Sequence, residues 1–108
     1  MRRKFGKLIN ELAKKDDKIV LLVGDIGYGI FDDFRKTHPK KFFNLGICEQ
    51  SLIGAAAGMA LEGLKPWVYT ITPFLIERPF EQIKLDINLC MIFCSFDVKF
   101  HMLIGYIR

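Results

Sequence analysis

Among the residues whose type and spacing could support chemistry, Glu49 stands first. It closes the stretch Phe42-Phe43-Asn44-Leu45-Gly46-Ile47-Cys48-Glu49-Gln50, an apolar run ended by a glycine, and it precedes the small-residue run Gly54-Ala55-Ala56-Ala57-Gly58. A carboxylate at the mouth of a buried strand, beside a helix able to pack at close range, loses its water. Desolvation raises a carboxylate pKa and suits the group to proton chemistry near neutral pH. The same position also suits an ordinary helix N-terminal acid stabilised by the helix dipole, and spacing alone does not separate the two readings. Asp25, in the loop Gly24-Asp25-Ile26-Gly27-Tyr28-Gly29, is a second acid just past an apolar run, and Phe74 is an aromatic just past a third.

Other chemistry-bearing residues form no recognisable constellation. The glycine loop lacks the G-x-G-x-x-G dinucleotide pattern and the P-loop lysine followed by Ser or Thr. Cys90 and Cys94 stand four apart, but further zinc ligands are missing, so they read as core or half-exposed thiols. Cys48 reads as a small buried residue, and His38 and His101 as surface residues.

The elements that must carry these residues follow from apolar patterning. Phe5, Leu8, Ile9 and Leu12 recur at helical spacing among Lys and Glu, which predicts an amphipathic helix ended by Asp16-Asp17. Ile19-Val20-Leu21-Leu22-Val23 is apolar throughout and reads as a strand buried on both faces. A short helix is predicted over 31–36, a strand over 42–45, a helix over 51–62 ended by Gly63, a strand over 67–71 and a helix from Phe74 to about Leu89. Residues 98–104 have the pattern of a further strand. Alternating helices and strands predict an α/β fold, a parallel sheet with helices on both faces. Ligands of such sheets bind at the carboxyl ends of the strands, where Asp25, Glu49 and Phe74 all fall.

The 108 residues suit a single domain, 1–108, and 51% hydrophobic content can supply its core. The net charge of +4 is concentrated around Arg2, Arg3 and Lys4 and around Arg35, Lys36, Lys40 and Lys41. No zinc pattern or aromatic-glycine RNA motif accompanies it, so a solvated basic face is expected and nucleic acid is not. The N-terminal Met1-Arg2-Arg3-Lys4 is not followed by an apolar signal core, and the longest apolar stretch, 89–96, is too short to span a bilayer. Three cysteines fit no disulfide framework, and a reduced, cytoplasmic protein is expected.

Five segments, in order, resemble the pyrimidine-binding domain of the transketolase family of thiamine-diphosphate enzymes. They are the opening helix with Phe5-Gly6 and Glu11-Leu12; Val23-Gly24-Asp25-Ile26-Gly27; the Glu49 stretch; Ala56-Ala57-Gly58-Met59-Ala60-Leu61-Glu62-Gly63; and Phe74-Leu75-Ile76-Glu77-Arg78-Pro79-Phe80-Glu81-Gln82-Ile83. The resemblance implies that Glu49 hydrogen-bonds the cofactor's aminopyrimidine ring and drives it to the imino tautomer that makes its amino group basic. It implies that Phe74 stacks on that ring, with Ile71 at a neighbouring position where many relatives carry a second aromatic. It places Asp25 and Ile26 in an acidic loop near the pyrimidine, across a dimer.

Magnesium and the pyrophosphate are held in this family by another domain. Gly24-Asp25-Ile26 is not its Gly-Asp-Gly metal motif, so the ligands are expected from a partner chain. The implied protein is a subunit of a split transketolase-like enzyme, a hetero- or homo-oligomer inactive alone, moving a two-carbon ketol unit between sugar phosphates. Deoxyxylulose-phosphate synthase and the beta subunits of 2-oxo-acid dehydrogenases share the motif.

Two departures stand out. Pro79 occupies a helical position where relatives keep alanine, which predicts a late helix start or a kink near Glu77. The resemblance fades after Asn88, so the chain reads as a truncated or frame-disrupted pyrimidine domain with a sheet incomplete at its C-terminus. A non-catalytic remnant or interaction module is the alternative function, and an ordinary nucleotide-binding α/β domain a third.

Overall fold

The computed structural model describes residues 2–89 and the backbone of 101–105. Helix α1 (Arg2–Lys15) leads into β1 (Ile19–Val23), α2 (Asp32–Thr37), a 3-10 turn (Pro39–Lys41), β2 (Phe42–Asn44), α3 (Glu49–Leu61) and β3 (Lys65–Ile71). Then come α4 (Thr72–Ile76), the single turn α5 (Phe80–Gln82), a π-helix (Ile83–Leu89) and β4 (His101–Gly105). The four strands form one sheet in the order β2-β1-β3-β4, every neighbouring pair parallel.

The predicted α/β architecture is therefore the observed one, and β1 supplies both halves of its core. Ile19, Leu21 and Val23 face one layer, where they pack with Ile9 and Ala13 of α1, Phe31 and Phe34 beside and within α2, and Tyr69 of β3. Val20 and Leu22 face the other, with Leu52, Ile53 and Ala56 of α3, Val68 of β3 and Leu75 of α4. All five β1 residues are buried, which is why that run is apolar without alternation. On the first layer Phe5 stacks on Tyr69 with ring centroids 6.0 Å apart, and Phe31 meets Tyr69 edge-on at 4.8 Å. Gly6 lets α1 close on the following loop, since a Cβ there would lie 2.4 Å from the Ile30 carbonyl oxygen.

Several predicted features shift. Leu8, expected on the buried face of α1, is 55% exposed, and Ala13 takes a core position instead. Pro66 lies inside β3 opposite Val20; β4 pairs only from Trp67 onward, so the missing N–H falls before the second ladder begins. His38 is half-buried rather than on the surface, its ring tilted against Phe34 at 5.1 Å. The helix expected from Phe74 is broken at residues 77–79, where Pro79 precedes α5, the interruption its cyclic backbone predicts. The strand expected over 98–104 is met by β4 at His101–Gly105, and residues 98–100 lie outside the described residues. Cys90, Cys94 and the apolar segment around them lie outside the described residues.

Because Leu22 is fully buried between α3 and the sheet, Leu22→Ala is expected to lower unfolding stability by about 2–5 kcal/mol in urea denaturation. Leu8→Ala, on the exposed side of α1, is expected to stay within about 0.5 kcal/mol of the parent.

Candidate functional site

Strand β1 connects onward to β2 on one side of the sheet, and β3 onward to β4 on the other. Between two strands whose connections diverge, a parallel sheet opens a crevice at its carboxyl edge. A cavity of about 210 Å³ lies there, lined by Gly24, Asp25 and Ile26 after β1, Ile47 and Glu49 before and within α3, and Thr70, Ile71 and Phe74 at the end of β3 and in α4. Glu49, Phe74, Asp25, Ile26 and Ile71, the five residues singled out in the sequence, thus meet around one space.

Glu49 is the first residue of α3, which starts two residues earlier than the sequence pattern suggests, and is only 2% exposed. The chain reaches it through Gly46 at φ +80°, a left-handed turn that glycine makes without a Cβ penalty. One carboxylate oxygen, Oε2, accepts a hydrogen bond from Arg78 Nη1 at 3.2 Å. The other, Oε1, is buried with no partner. Thr70 Oγ1, also on the cavity wall, is a second buried oxygen with no partner. A buried polar group left unsatisfied costs about 1–3 kcal/mol, so both atoms favour a ligand carrying donors. The Phe74 ring adds an aromatic face, and the Arg78 guanidinium carbon lies 3.5 Å from its centroid.

The rim is built by a second polar group. Asp25 holds φ +53°, the left-handed region that few non-glycine residues adopt. Asn44 at the end of β2 holds it there. Its Oδ1 accepts from the Asp25 and Gly46 backbone N–H groups, both at 3.0 Å, and its Nδ2 donates to Asp25 Oδ1 at 3.1 Å. The Tyr28 hydroxyl donates to the same carboxylate oxygen at 2.6 Å. These two donors, Tyr28 first and Asn44 second, hold the Asp25 carboxyl below the usual 3.8, and the neighbouring carboxylate pushes the Tyr28 phenol up. Cys48 donates its thiol to the Leu45 carbonyl at 2.8 Å and plays no visible part in the cavity.

Asn44, Arg78, Thr70 and Ile47 were not singled out by sequence reasoning. Two of them left a signal: Arg78 stands four residues after Phe74, a spacing that brings side chains together on a helix, and Thr70 is a polar residue in an otherwise apolar strand end. A larger open groove of about 530 Å³ runs between α1 and α2, lined by Arg3, Lys7, Glu11 and Asp33 among others. It holds no aromatic ring and no buried acid, and its charges of both signs are solvated.

The fold and site define a doubly wound α/β domain with a ligand crevice at the carboxyl edge, walled by one buried acid and one aromatic ring. Residues 1–105 match the family described as transketolase, pyrimidine binding domain, and the chain belongs to that family. The match runs beyond Asn88, after which the motif resemblance fades. The chain is 44% identical over 84 residues to an uncharacterized transketolase family protein of Sinorhizobium fredii, covering 77% of this chain and 24% of that protein. It is 40% identical over 95 residues to 1-deoxy-D-xylulose-5-phosphate synthase of Clostridium perfringens, covering 81% and 15%. Among solved structures, a split gene transketolase described as an inactive beta4 tetramer superposes with a TM-score of 0.69 at 40% identity, covering 76% of this chain and 28% of that one. The chain thus spans about a quarter or less of the length of these relatives.

Asn44→Ala removes the tie between the two rim loops and is expected to cost about 1 kcal/mol in denaturation. Asp25 should then titrate closer to the ordinary aspartate range in carboxyl-carbon NMR. Because its folded pKa is depressed, its contribution to stability is present above the ordinary aspartate pKa and is lost as pH falls through the depressed value.

Proposed function

We propose that this chain supplies the pyrimidine half of a thiamine-diphosphate site in a two-chain transketolase-type enzyme that transfers a two-carbon ketol unit between sugar phosphates. The observation that carries the reading is Glu49, a buried acid with one partnerless oxygen, on the wall of a cavity that also holds the face of Phe74. A cavity of roughly 150 Å³ suffices to take up benzene, so 210 Å³ accommodates a substituted six-membered heterocycle. The residues present fit an aminopyrimidine: an acid for a ring nitrogen, an aromatic face for stacking, a threonine hydroxyl, and apolar walls from Ile26, Ile47 and Ile71.

In this reading Glu49 holds or exchanges a proton at the ring nitrogen through Oε1, and its burial keeps water from competing. Phe74 orients the ring by its face, worth about 0.5–1.5 kcal/mol beyond area burial. Ile71 fills the neighbouring position with an aliphatic side chain, and Asp25 and Ile26 close the rim. When bound, the cofactor supplies the nucleophilic carbon, and the protein's share is orientation and electrostatics.

The partner chain is assigned the pyrophosphate and the magnesium ion; among the described residues no group of three or more His, Cys, Asp or Glu is placed to hold a metal. Ile47 and Tyr28, 74% and 73% exposed at and beside the cavity mouth, are the kind of surface a partner protomer covers. No helix among the described residues is long and apolar enough to cross a membrane, and the proposal places the assembled pair in the cytoplasm. The resemblance to 1-deoxy-D-xylulose-5-phosphate synthase favours that reaction type as a second reading, since the same cavity would serve it.

Co-expression with a pyrophosphate-domain subunit, followed by calorimetry with thiamine diphosphate and magnesium, tests the assignment. Glu49→Ala is expected to weaken cofactor binding and to lower turnover of a ketose-phosphate donor by about 10²–10⁴-fold. Undiminished turnover in that variant would overturn the role of Glu49. The purified chain alone is expected to show none, and activity from it would overturn the two-chain proposal.

A further inference from the structure

We infer that Arg78 is a positioning residue for this cavity: it holds Glu49 by one oxygen and Phe74 by one ring face, and so makes the site select flat rings that also carry an N–H donor. The inference rests on the proposed reading of the cavity as a heterocycle site. Three observations carry it. The Arg78 guanidinium touches both residues at once, at 3.2 Å from Glu49 Oε2 and 3.5 Å from the Phe74 centroid. Arg78 is not among the residues that line the cavity, so its grip leaves that space open. The oxygen it does not hold, Oε1, is the one left buried without a partner.

The chemistry of arginine suits the task. A guanidinium is planar, stays charged at any pH of interest, and carries its donors in a rigid fork, so one group can stack on a ring and hydrogen-bond in its own plane. A carboxylate free to rotate would share its two oxygens among several poses. Bonded through Oε2, Glu49 has one oxygen committed and the other directed elsewhere. Phe74 is braced in the same way by a cation over its face. The local backbone makes the arrangement possible. Phe74 and Arg78 stand four apart, with Glu77 still helical at φ −82°, ψ −45°, and buried Pro79 stops the helix at once. The side chain of Arg78 is 43% exposed, so it reaches Glu49 from the protein surface while that of Glu49 is 3% exposed.

A purely structural ion pair would affect folding without altering which ligands bind. The test therefore measures discrimination. Two probes, 4-aminopyrimidine and toluene, are titrated into the isotope-labelled chain and followed by NMR; the first has ring face and donor, the second the face alone. In the parent, 4-aminopyrimidine is expected to bind in preference to toluene. In Arg78→Met that preference is expected to fall roughly tenfold, the scale of one charge-assisted contact, with toluene affinity little changed. Arg78→Lys keeps the charge without the planar fork and should restore part of the preference; being the milder change, it also serves if the methionine variant folds poorly.

An unchanged preference in both folded variants would overturn the positioning role and leave the cavity assignment standing. Tighter binding of 4-aminopyrimidine in Arg78→Met would also overturn it, by making Arg78 a competitor for the site. Failure of the parent to bind 4-aminopyrimidine at all would overturn the cavity assignment, and the inference with it.

Discussion

The constraint on which the site depends is a carboxyl group taken out of water, which the surrounding architecture has to accommodate. Burying an ionised carboxylate costs several kcal/mol even after relaxation, and one hydrogen bond offsets only part of that. Glu49 is nevertheless 2% exposed. Three features place it there. Gly46 turns the chain out of β2 at a positive φ. The small residues Ala56, Ala57 and Ala60 let α3 lie flat on the sheet. The connections that leave β1 and β3 in opposite directions open a crevice into which the first turn of α3 projects. The helix dipole adds a favourable field at that turn, and Arg78 adds a counter-charge on the outer oxygen.

The rim shows the complementary strategy, in which strain is held by exposed hydrogen bonds rather than by burial. Asp25 keeps a left-handed backbone because its N–H, its carboxylate and the next loop all converge on Asn44. Strain of this kind persists only where neighbouring contacts over-determine it, and it clusters at functional sites. Loop 24–29 and the turn after β2 are therefore tied together by the side chain of Asn44.

The likeness to much longer relatives has a structural counterpart. The chain covers 28% of the split gene transketolase and 15% of the Clostridium perfringens synthase, and its described residues still bring an acid and an aromatic ring to one cavity. A single α/β sheet can supply one face of a crevice, its acid and its aromatic, because all three come from adjacent strand ends. It cannot enclose a long ligand by itself: the mouth is open, and Ile47 stands 74% exposed beside it. Under the proposed two-chain reading, a second surface closing over this crevice would dry it and strengthen its electrostatics.

The order of elements, the parallel sheet and the trio Glu49, Phe74 and Asp25 were legible because each is a local property of the chain. An unbroken apolar run signals a doubly buried strand, glycine and proline mark where elements stop, and residues just past a strand end share one edge of the sheet. The sequence alone determined which residues would share that edge. Only the tertiary structure decided which partner each group takes. That Asn44 joins two loops, that Thr70 Oγ1 is left without a hydrogen-bond partner, that Ala13 rather than Leu8 enters the core, and that Arg78 bridges Glu49 and Phe74 all depend on contacts between segments far apart in the chain. Such contacts exist only after the strands have paired and the helices have settled on their faces, so no run of neighbouring residues encodes them.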